Sequence, residues 1–402
     1  MSCHSCGVGA RVSARADLLV ALLTGGDDPN YAVPLAAALA DRRVRVDFIG
    51  NDDMAGASDL ERPNIRYLNL RGNQDRGAAA ATKVARIARY YARLVTYALR
   101  SDARLFHILW LNKFEVLDRT VLNAFYRLTG KKLVFTAHNV NAGKRDGRDT
   151  RLNRASLRAM YALCDHIFVH TEPAREELVR DFGVAPGRIT VIPFGLNTYV
   201  PNTPLSKVEA RVRLGVGETG RLLLFFGQIA PYKGLDVLID AMALDDGDSE
   251  CRLVVAGRAK RGFESYWAGA RARAEALGSR VALLDRFIDD REVPLLFRAA
   301  DALVLPYREI YQSGPMSLAH RFGVPVIATR VGSFASEVIP GVTGMLCEPD
   351  NPADLAGAIR TFFASDLYLG AEQTQKRIQE IAQERYSWER VSQEIVDVYA
   401  RL

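Results

Sequence analysis

Apolar runs alternate with helical periods along almost the whole chain, and this alternation is the strongest constraint on its fold. Strand-length apolar runs separated by helical stretches are typical of βαβ units around a parallel sheet. The part up to Gly195 contains seven such runs, DLLVALLT, RVRVDFIG, IRYLNL, LFHILWLN, KLVFTAHN, HIFVHT and ITVIPFG. The part that follows contains six more, RLLLFFG, CRLVVAG, VALLDRF, DALVLPY, PVIAT and TGMLCEP. The sequence therefore predicts an α/β protein with two doubly wound Rossmann-like domains that face a cleft.

The length of 402 residues suits two such domains better than one. The segment NTYVPNTPLS, residues 197–206, has two prolines and no periodicity, so we interpret it as a linker. We predict an N-terminal domain over residues 1–200 and a C-terminal domain over residues 205–384. The last segment, residues 385–402, has a helix with one apolar side, which suits a return to the first domain.

The cysteine and hydropathy patterns indicate the cellular compartment in which the protein resides. The five cysteines are odd in number and scattered, which favours a reducing compartment over a disulfide framework. Two interpretations of Cys3 and Cys6 stay open, a metal-binding or redox dithiol and a plain leader. LLVALLT, residues 18–24, precedes GGDD and suits a first strand better than a signal peptide. No apolar run approaches the ~20 residues of a membrane helix, so we expect no transmembrane helix. The cysteine pattern leads us to expect a cytoplasmic protein.

The segment FFGQIAPYKGLDVLI, residues 225–239, has the pattern of a phosphate-binding loop. Gly227 follows a buried strand and lets a ligand approach the backbone closely. An amphipathic helix is predicted to begin at Lys233, so that free N–H groups and a lysine meet at one place. The alternative is an ordinary strand-loop-helix unit with a solvated lysine.

Similar signals follow the later strands of the second half. Ser313 can cap a helix over about 314–322, and Gly314 would let a diphosphate approach its N-terminus. Gly257 ends the strand CRLVVAG. Three residues after the next strand could hold a nucleotide base, Arg286, Phe287 and Ile288. The alternatives are an ordinary helix cap for Ser313 and a core aromatic for Phe287.

Four segments of the second half together resemble the donor-binding domain of glycosyltransferase family 4, which has the GT-B fold. They are FFGQIAPYKGLDVLI, DALVLPY, FGVPVIATRVGSFASEVI and GVTGMLCEPDNPADLAGAI. The resemblance covers Arg221 to about Ala364. In the first half it rests on the Gly25-Gly26 loop, on TAHN and on VIPFGLNT. It implies a nucleotide-sugar site in the second domain, with Gly26 of the first domain also near the donor.

The phosphate motif of the family, Gly-Arg-x4-Lys, falls on Gly227, Gln228 and Lys233, so a neutral glutamine replaces the arginine. The two glutamates of the family, spaced eight apart, fall on Ile310 and Leu318, which cannot hydrogen-bond a sugar. The chain thus looks like a divergent member without the usual glutamate pair.

Our hypothesis is that Glu309, Gln312 and Ser313 replace that pair and contact the donor ribose and the transferred sugar. Glu309 has Ser317 eight positions after it. For Asp236 and Glu337, a polar site near the donor and a solvated helix position are both open.

His138 ends KLVFTAH at a position where the resemblance implies an active-site histidine. A hydrogen-bonded histidine at the end of a strand is the alternative. The other five histidines lack metal-like spacing, and we assign His170 and Cys347 no role beyond packing.

The first 200 residues carry 29 Lys and Arg against 20 Asp and Glu, which predicts an anionic partner. One predicted helical face combines cations and tyrosines and suits a membrane surface, with a solvated polar face as the alternative; it holds Lys83, Arg86, Tyr90, Arg93 and Tyr97. A second cluster could clasp an acceptor diphosphate or a headgroup, and it includes Lys144, Arg145 and Arg148. No nucleic-acid-binding module is recognisable.

We predict a glycosyltransferase that moves a sugar from a nucleotide-diphosphate sugar to a lipid-linked or polysaccharide acceptor. Its catalytic residues would be His138, Lys233 and Glu309. We expect no cofactor and no metal, because Lys233 and helix ends would meet the diphosphate charge. Retention of the anomeric configuration is implied by the resemblance only.

A peripheral contact at the inner face of a membrane stays open. The alternatives are a nucleotide-sugar epimerase or phosphorylase on the same fold, and a catalytically silent protein that binds a glycan or a membrane.

Overall fold

The computed structural model describes residues 18–26, 28–75, 77–147, 149–244 and 250–402. The chain forms two compact units, one of residues 1–195 with 388–402 and one of residues 196–387. Cys3, Cys6 and Arg148 lie outside the described residues, so their predicted roles have no structural counterpart here.

The first unit is built on a seven-stranded parallel sheet with the order β3-β2-β1-β4-β5-β6-β7. Its strands are β1 Leu19–Leu23, β2 Arg45–Gly50, β3 Ile65–Asn69, β4 Leu105–Ile108, β5 Lys132–Thr136, β6 His166–Val169 and β7 Ile189–Val191. Its α-helices are Pro29–Asp41, Ala80–Arg100, Glu115–Leu117, Asn123–Leu128, Ala142–Arg145, Arg151–Leu163, Glu172–Phe182 and Trp388–Tyr399. A π-helical stretch, Asp118–Leu122, joins the third and fourth of these helices, and short 3₁₀ turns occupy Asp52–Met54, Ser58–Leu60 and Pro186–Arg188.

The strand order reverses between β1 and β4, and ligands of such sheets bind beyond the carboxyl ends of the strands at this switch point. Gly25 follows β1 with a φ of 60°, and a Cβ there would lie 2.6 Å from the Leu111 carbonyl oxygen. The loops after β1 and β4 therefore touch, and only glycine fits at their contact.

The last helix of the chain, Trp388–Tyr399, belongs to the first unit. The Trp388 ring packs so closely on Gly195 that a Cβ there would lie 2.4 Å from it. The Tyr399 hydroxyl hydrogen-bonds Nδ1 of the buried His107. The Arg42 guanidinium donates to the Glu389 carbonyl oxygen and to Ser392. The apolar side of this helix is thus buried in the first unit.

The second unit is built on a six-stranded parallel sheet with the order β10-β9-β8-β11-β12-β13. Its strands are β8 Arg221–Phe226, β9 Cys251–Ala256, β10 Val281–Leu284, β11 Ala302–Leu305, β12 Val326–Thr329 and β13 Gly344–Cys347. Its α-helices are Lys207–Leu214, Leu235–Ala243, Glu264–Ala276, Val293–Ala299, Gly314–Phe322, Phe334–Glu337, Pro352–Phe363, Asp366–Leu369 and Ala371–Tyr386. Short 3₁₀ turns occupy Pro231–Lys233 and Gly278–Arg280.

Successive residues of these strands point to opposite faces, and both faces are buried. Leu222 and Leu224 of β8 join one apolar core, whereas Leu223 and Phe225 join the other. Helices cover both faces, which explains why the strands read as continuous apolar runs. The predicted architecture of two doubly wound Rossmann-like units is confirmed.

Among the helices of the described ranges, none combines the length and the apolar character that crossing a membrane requires.

Candidate active site

The first two strands of the second sheet end side by side in glycines. Gly227 follows β8 with a φ of 106°, and Gly257 follows β9 with a φ of 154°. A Cβ on Gly257 would lie 2.0 Å from the carbonyl oxygen of Gly227, so no side chain fits there. The two loops present bare main chain at the carboxyl edge of the sheet.

Lys233 and the next helix N-terminus lie next to this bare main chain. A Cβ on Gly227 would be 2.9 Å from Lys233 Nζ and 3.7 Å from Pro315 Cγ. Lys233 is buried, and its Nζ lies 5.2 Å from the centre of the Tyr307 ring. A backbone loop, an ammonium group and a helix end thus converge at one point of the second unit.

The expectation that Lys233 opens a helix is wrong. Pro231 begins a 3₁₀ turn that ends at Lys233, and Gly234 then adopts a left-handed conformation with a φ of 63°. The α-helix begins only at Leu235. Gly234 cannot carry a side chain, because a Cβ would lie 2.0 Å from the Pro306 carbonyl oxygen. The lysine is therefore held by a tight turn and not by a helix.

The helix Gly314–Phe322 begins as the sequence predicts. The hydroxyl of the buried Ser313 accepts the Met316 N–H at 3.4 Å, which makes Ser313 the N-cap. Space is open beside Gly314, where a Cβ would meet nothing within 4 Å. Accordingly, the remaining N–H groups and the positive end of the helix dipole are open to an anion.

Arg258 is a cation of this site that the sequence analysis missed. The loops after β8 and β9 stay paired beyond the strands, with Ile229 opposite Ala259 in parallel register. The Ile229 N–H donates to the Arg258 carbonyl oxygen at 2.8 Å. In this register Gln228 and Arg258 are neighbours on adjacent segments of the backbone, and both are exposed. The lone signal in the sequence was an arginine directly after Gly257.

Glu337 lies in a polar cluster with Gln312 and Ser333. The Ile310 backbone packs on Gly332, where a Cβ would lie 1.8 Å from the Ile310 carbonyl oxygen, and this contact brings the two loops together. Burial raises the pKa of the half-buried Glu337 to about 7, although the Gln312 and Ser333 side chains lower it. Gln312 Oε1 is buried without a hydrogen-bond partner among the described residues. Glu337 is therefore only partly solvated, and its surroundings fit the interpretation as a polar site better than that of a freely solvated helix position.

The residues at and beside the two positions where the family has glutamates have mainly structural contacts. Ile310 and Leu318 are buried in the core of the second unit. The Ser317 hydroxyl accepts the Asn197 N–H at 2.8 Å and so fastens the linker. Glu309 is exposed in the loop before the helix Gly314–Phe322. Its predicted catalytic role stays a prediction.

The three residues predicted to hold a base differ in their surroundings. Arg286 forms an ion pair with Glu292 at 2.6 Å, so its charge is already met. Phe287 is 66% exposed, and the Arg258 guanidinium lies 5.6 Å from its ring centre. The alternative of a core aromatic is therefore wrong for Phe287. Ile288 is buried in the core. Of these three residues, Phe287 is the one whose side chain is open for a base to stack on.

Asp236 has a structural partner instead of a ligand. Its carboxylate forms an ion pair with Arg308 at 2.8 Å and accepts the Tyr266 hydroxyl at 2.7 Å. These contacts tie the helix Leu235–Ala243 to the loop after β11 through Arg308 and to the helix Glu264–Ala276 through Tyr266.

In the first unit, His138 lies in a cluster of rings. Its imidazole stacks on Trp110, with ring centres 4.3 Å apart, and meets the edge of Tyr31 at 4.6 Å. Nδ1 of His138 lies 3.0 Å from Nε2 of His170. Burial and the two neighbouring histidines hold the pKa of His138 well below its ordinary value. His138 Nε2 is buried and has no hydrogen-bond partner in the described part of the chain.

Gly26 follows Gly25 in the loop after β1. Its N–H donates to the Thr24 hydroxyl at 3.0 Å, and its carbonyl oxygen accepts the Asn51 amide at 3.1 Å. The loop is fixed from both sides, while the predicted donor contact of Gly26 stays a prediction.

The predicted membrane face of the helix Ala80–Arg100 is wrong in its aromatic part. Tyr90 is buried, and its hydroxyl donates to Asn112 at 2.6 Å. The Tyr97 hydroxyl donates to Asp47 at 2.6 Å. Arg86 and Arg93 donate to backbone carbonyl oxygens of the segment 70–75, at 2.8–3.2 Å. This face therefore packs on its own unit, and its tyrosines cannot reach headgroups.

The cluster after His138 is more open. Lys144 is exposed, whereas Arg145 donates to Asn139 at 3.2 Å and pairs with Asp146 at 3.1 Å. Lys83 is only partly exposed. Within the described ranges, no three or more His, Cys, Asp or Glu side chains form a group that could hold a metal ion.

The architecture of this chain matches that of solved structures over nearly their whole length. Sucrose-phosphate synthase from Thermosynechococcus elongatus superposes with a TM-score of 0.74 at 21% identity, over 96% of this chain and 98% of that one. The Anabaena protein Alr3699/HepE, solved in complex with UDP and glucose, gives 0.74 at 20% identity, over 96% and 99%. The fold is that of the GT-B glycosyltransferases.

Sequence comparison narrows this class. The model for "Glycosyl transferases group 1" matches residues 206–385, and that for "Glycosyltransferase Family 4" matches residues 29–199. The chain belongs to glycosyltransferase family 4, which confirms the resemblance and makes the protein a transferase.

Curated relatives carry the name D-inositol 3-phosphate glycosyltransferase. The protein from Geodermatophilus obscurus is 29% identical over 92% of this chain and 83% of its own length. The protein from Corynebacterium glutamicum (strain R) is 26% identical over 92% and 90%.

Proposed function

We propose that this glycosyltransferase takes a nucleotide-diphosphate sugar as donor and binds its diphosphate in the second unit. The convergence of Gly227, Gly257, Lys233 and the helix that begins at Gly314 carries this proposal. Bare main chain admits phosphate oxygens, and the lysine and the helix end supply positive charge. The Anabaena neighbour with bound UDP and glucose supports the choice of ligand.

Arg258 takes over the charge that family members carry at position 228. It is the register neighbour of Gln228, and its guanidinium lies near the exposed ring of Phe287. A nucleotide base that stacked on Phe287 would place its diphosphate within the field of both Arg258 and Lys233.

The chemistry follows from where charge develops. The bond between the anomeric carbon and the phosphate oxygen breaks, and negative charge grows on the leaving diphosphate. An acceptor hydroxyl oxygen forms the new bond to the anomeric carbon, and its proton passes to the leaving phosphate oxygen. Lys233 and the Ser313 helix end stabilise this charge, and such a donor is worth about 10² to 10³ in rate. No metal is needed for this step, and retention of configuration is the outcome that family membership supports. Gln312 and Glu337 offer polar groups for the transferred sugar in place of the usual glutamate pair.

The acceptor carries negative charge in this proposal, as part of a lipid-linked or polysaccharide intermediate. The cationic excess of the first 200 residues and the exposed Lys144 beyond His138 support an anionic acceptor. The name of the curated relatives, D-inositol 3-phosphate glycosyltransferase, contains a phosphorylated polyol and so supports a phosphorylated acceptor.

A membrane contact is proposed for the segment 114–128 and not for the helix Ala80–Arg100. Five of the fifteen exposed large apolar side chains among the described residues fall in this short segment, Phe114, Val116, Leu117, Val121 and Leu128. The exposed Lys113 directly precedes this segment. The exposed Arg127 lies at its end and Lys132 lies beyond it, and both of these cations pair with Asp165. Apolar side chains bordered by cations fit an anionic bilayer surface.

A transfer assay tests the enzymatic proposal. The purified protein is incubated with UDP-glucose and other nucleotide-diphosphate sugars, each with and without phosphorylated polyol and lipid-linked glycan acceptors. We expect a glycosylated acceptor and a stoichiometric nucleoside diphosphate. An isomerised nucleotide sugar would identify an epimerase, and a sugar phosphate formed with inorganic phosphate would identify a phosphorylase. Calorimetry that finds no binding of any nucleotide sugar would identify a silent protein.

A further inference from the structure

Three successive parallel strands of the first unit end in groups that hydrogen-bond one another in a row. His138 lies two residues beyond β5, His170 directly follows β6, and Ile192 directly follows β7. Nδ1 of His170 lies 3.2 Å from the Ile192 carbonyl oxygen, and Nε2 of His170 lies 3.0 Å from Nδ1 of His138. The row runs across the carboxyl edge of the sheet and ends at Nε2 of His138.

The chemistry of the partners fixes where each proton sits. A carbonyl oxygen only accepts, so Nδ1 of His170 must carry a hydrogen. Burial lowers the pKa of His170 to about 4, so the ring holds a single proton at neutral pH and its Nε2 is a lone pair. That lone pair can only accept, which places the hydrogen of His138 on Nδ1. Because the His138 ring is also neutral, its Nε2 carries a lone pair.

Packing holds the ring of His138 in this orientation. Trp110 stacks on it with an interplanar angle of 11°, and Tyr31 meets it edge-on at 88°. Phe194 packs edge-on against His170 with ring centres 5.1 Å apart. The buried Nε2 atom of His138 nevertheless has no partner in the described part of the chain. A buried polar atom without a partner is costly, so Nε2 of His138 is an acceptor that a water molecule or a ligand group has to satisfy.

We propose that His170 is a positioning residue that locks His138 in the Nδ1–H tautomer, so that Nε2 of His138 accepts a hydrogen bond from a substrate hydroxyl. An unprotonated Nε2 has no hydrogen to give to a phosphate oxygen, so the ligand group at His138 is a hydrogen-bond donor, and the commonest donor of a sugar or a polyol is a hydroxyl. The catalytic consequence rests on the proposed glycosyl transfer, but the tautomer does not. His170 thus acquires a role, contrary to the expectation of packing alone.

Nitrogen-resolved NMR of the histidine rings, on the full chain without substrate, reads the tautomer directly. We expect His138 to show a protonated Nδ1 and a lone-pair Nε2. The His170→Phe variant removes the acceptor but retains a ring between Tyr31 and Phe194, and it should admit the Nε2–H form of His138. The His170→Gln variant offers an amide oxygen near the position of Nε2 and should restore the Nδ1–H form. The ring of His107, held by Thr136 and Tyr399, is the internal control.

Transfer rates complete the test. The His170→Phe variant should lose at least about tenfold in kcat, within the ~10⁴-fold that a reversed tautomer costs a serine protease, and His170→Gln should recover part of that loss. An Nε2–H tautomer of His138 in the unaltered protein would overturn the proposal, even if the Phe variant failed to fold. An unchanged tautomer and rate in a folded His170→Phe variant would also overturn it. The expected tautomers in a protein without transfer activity would contradict the proposed function alone.

Discussion

The carboxyl group of Glu337 is held beside Gln312 and Ser333, and its pKa is raised to about 7 by burial. An unfolded chain releases the proton of a glutamate near pH 4.3. Between about pH 4.3 and about pH 7 the folded protein therefore binds a proton that the unfolded chain has lost. The contribution of this group to stability is complete below that window and is lost as the pH rises through it.

We predict that raising the pH from about 5 to about 8 lowers the free energy of unfolding less in the Glu337→Gln variant than in the unaltered protein. Glutamine resembles the neutral acid and has no proton to release. Thermal unfolding at both pH values measures the difference. Equal losses in the two proteins would mean that Glu337 is already ionised in the fold at the lower pH.

His138 and His170 differ in how far the sequence predicts their roles. The position of His138 was predictable, because it follows a strand in a segment that resembles the family. Its partner was not, since His170 and Ile192 approach it only through the pairing of β5, β6 and β7. Arg258 escaped notice for the same reason, as its pairing with the Gln228 loop depends on register beyond the strand ends.

At the scale of elements, the strands were the most predictable part of the molecule. Parallel strands that are buried on both faces must be apolar, and the central strands β8, β11 and β12 are buried almost throughout. The turn before Leu235 was less predictable, because the pattern of the helix gives no sign that Gly234 is left-handed. The helix Ala80–Arg100 was predictable as a helix, but the burial of Tyr90 was not, since tyrosines suit both a membrane surface and a hydrogen-bonded core.

The segment 114–128 gives a prediction at this scale. The chain should cosediment with vesicles of anionic phosphatidylglycerol and much less with neutral phosphatidylcholine, and salt should weaken the binding. The Leu128→Asp variant should weaken it because Leu128 is 88% exposed in this segment. The Leu369→Asp variant is a matched control, since Leu369 is 72% exposed in the second unit. Equal binding by both variants, or no binding by the unaltered protein, would rule this contact out.

On the scale of the whole molecule, the chain passes from the first unit to the second after residue 195 and returns after residue 387. The return fixes Trp388 on Gly195 and Tyr399 on His107, so the last helix completes the core of the first unit. Charge differs along the chain, and the cationic excess lies in the first 200 residues. Our proposal assigns the donor to the second unit and the contacts to an anionic acceptor to the first unit.

The most direct test of this account compares Lys233→Ala with Gln228→Ala. Calorimetric titration with UDP-glucose, or with whichever nucleotide sugar the transfer assay selects, gives the donor affinity, and the same assay gives the rate. We predict that Lys233→Ala weakens binding and lowers transfer by about 10² to 10³, because the buried ammonium group lies against the Gly227 main chain. The exposed, neutral Gln228 should matter far less. A larger loss in Gln228→Ala than in Lys233→Ala would contradict the placement of the diphosphate.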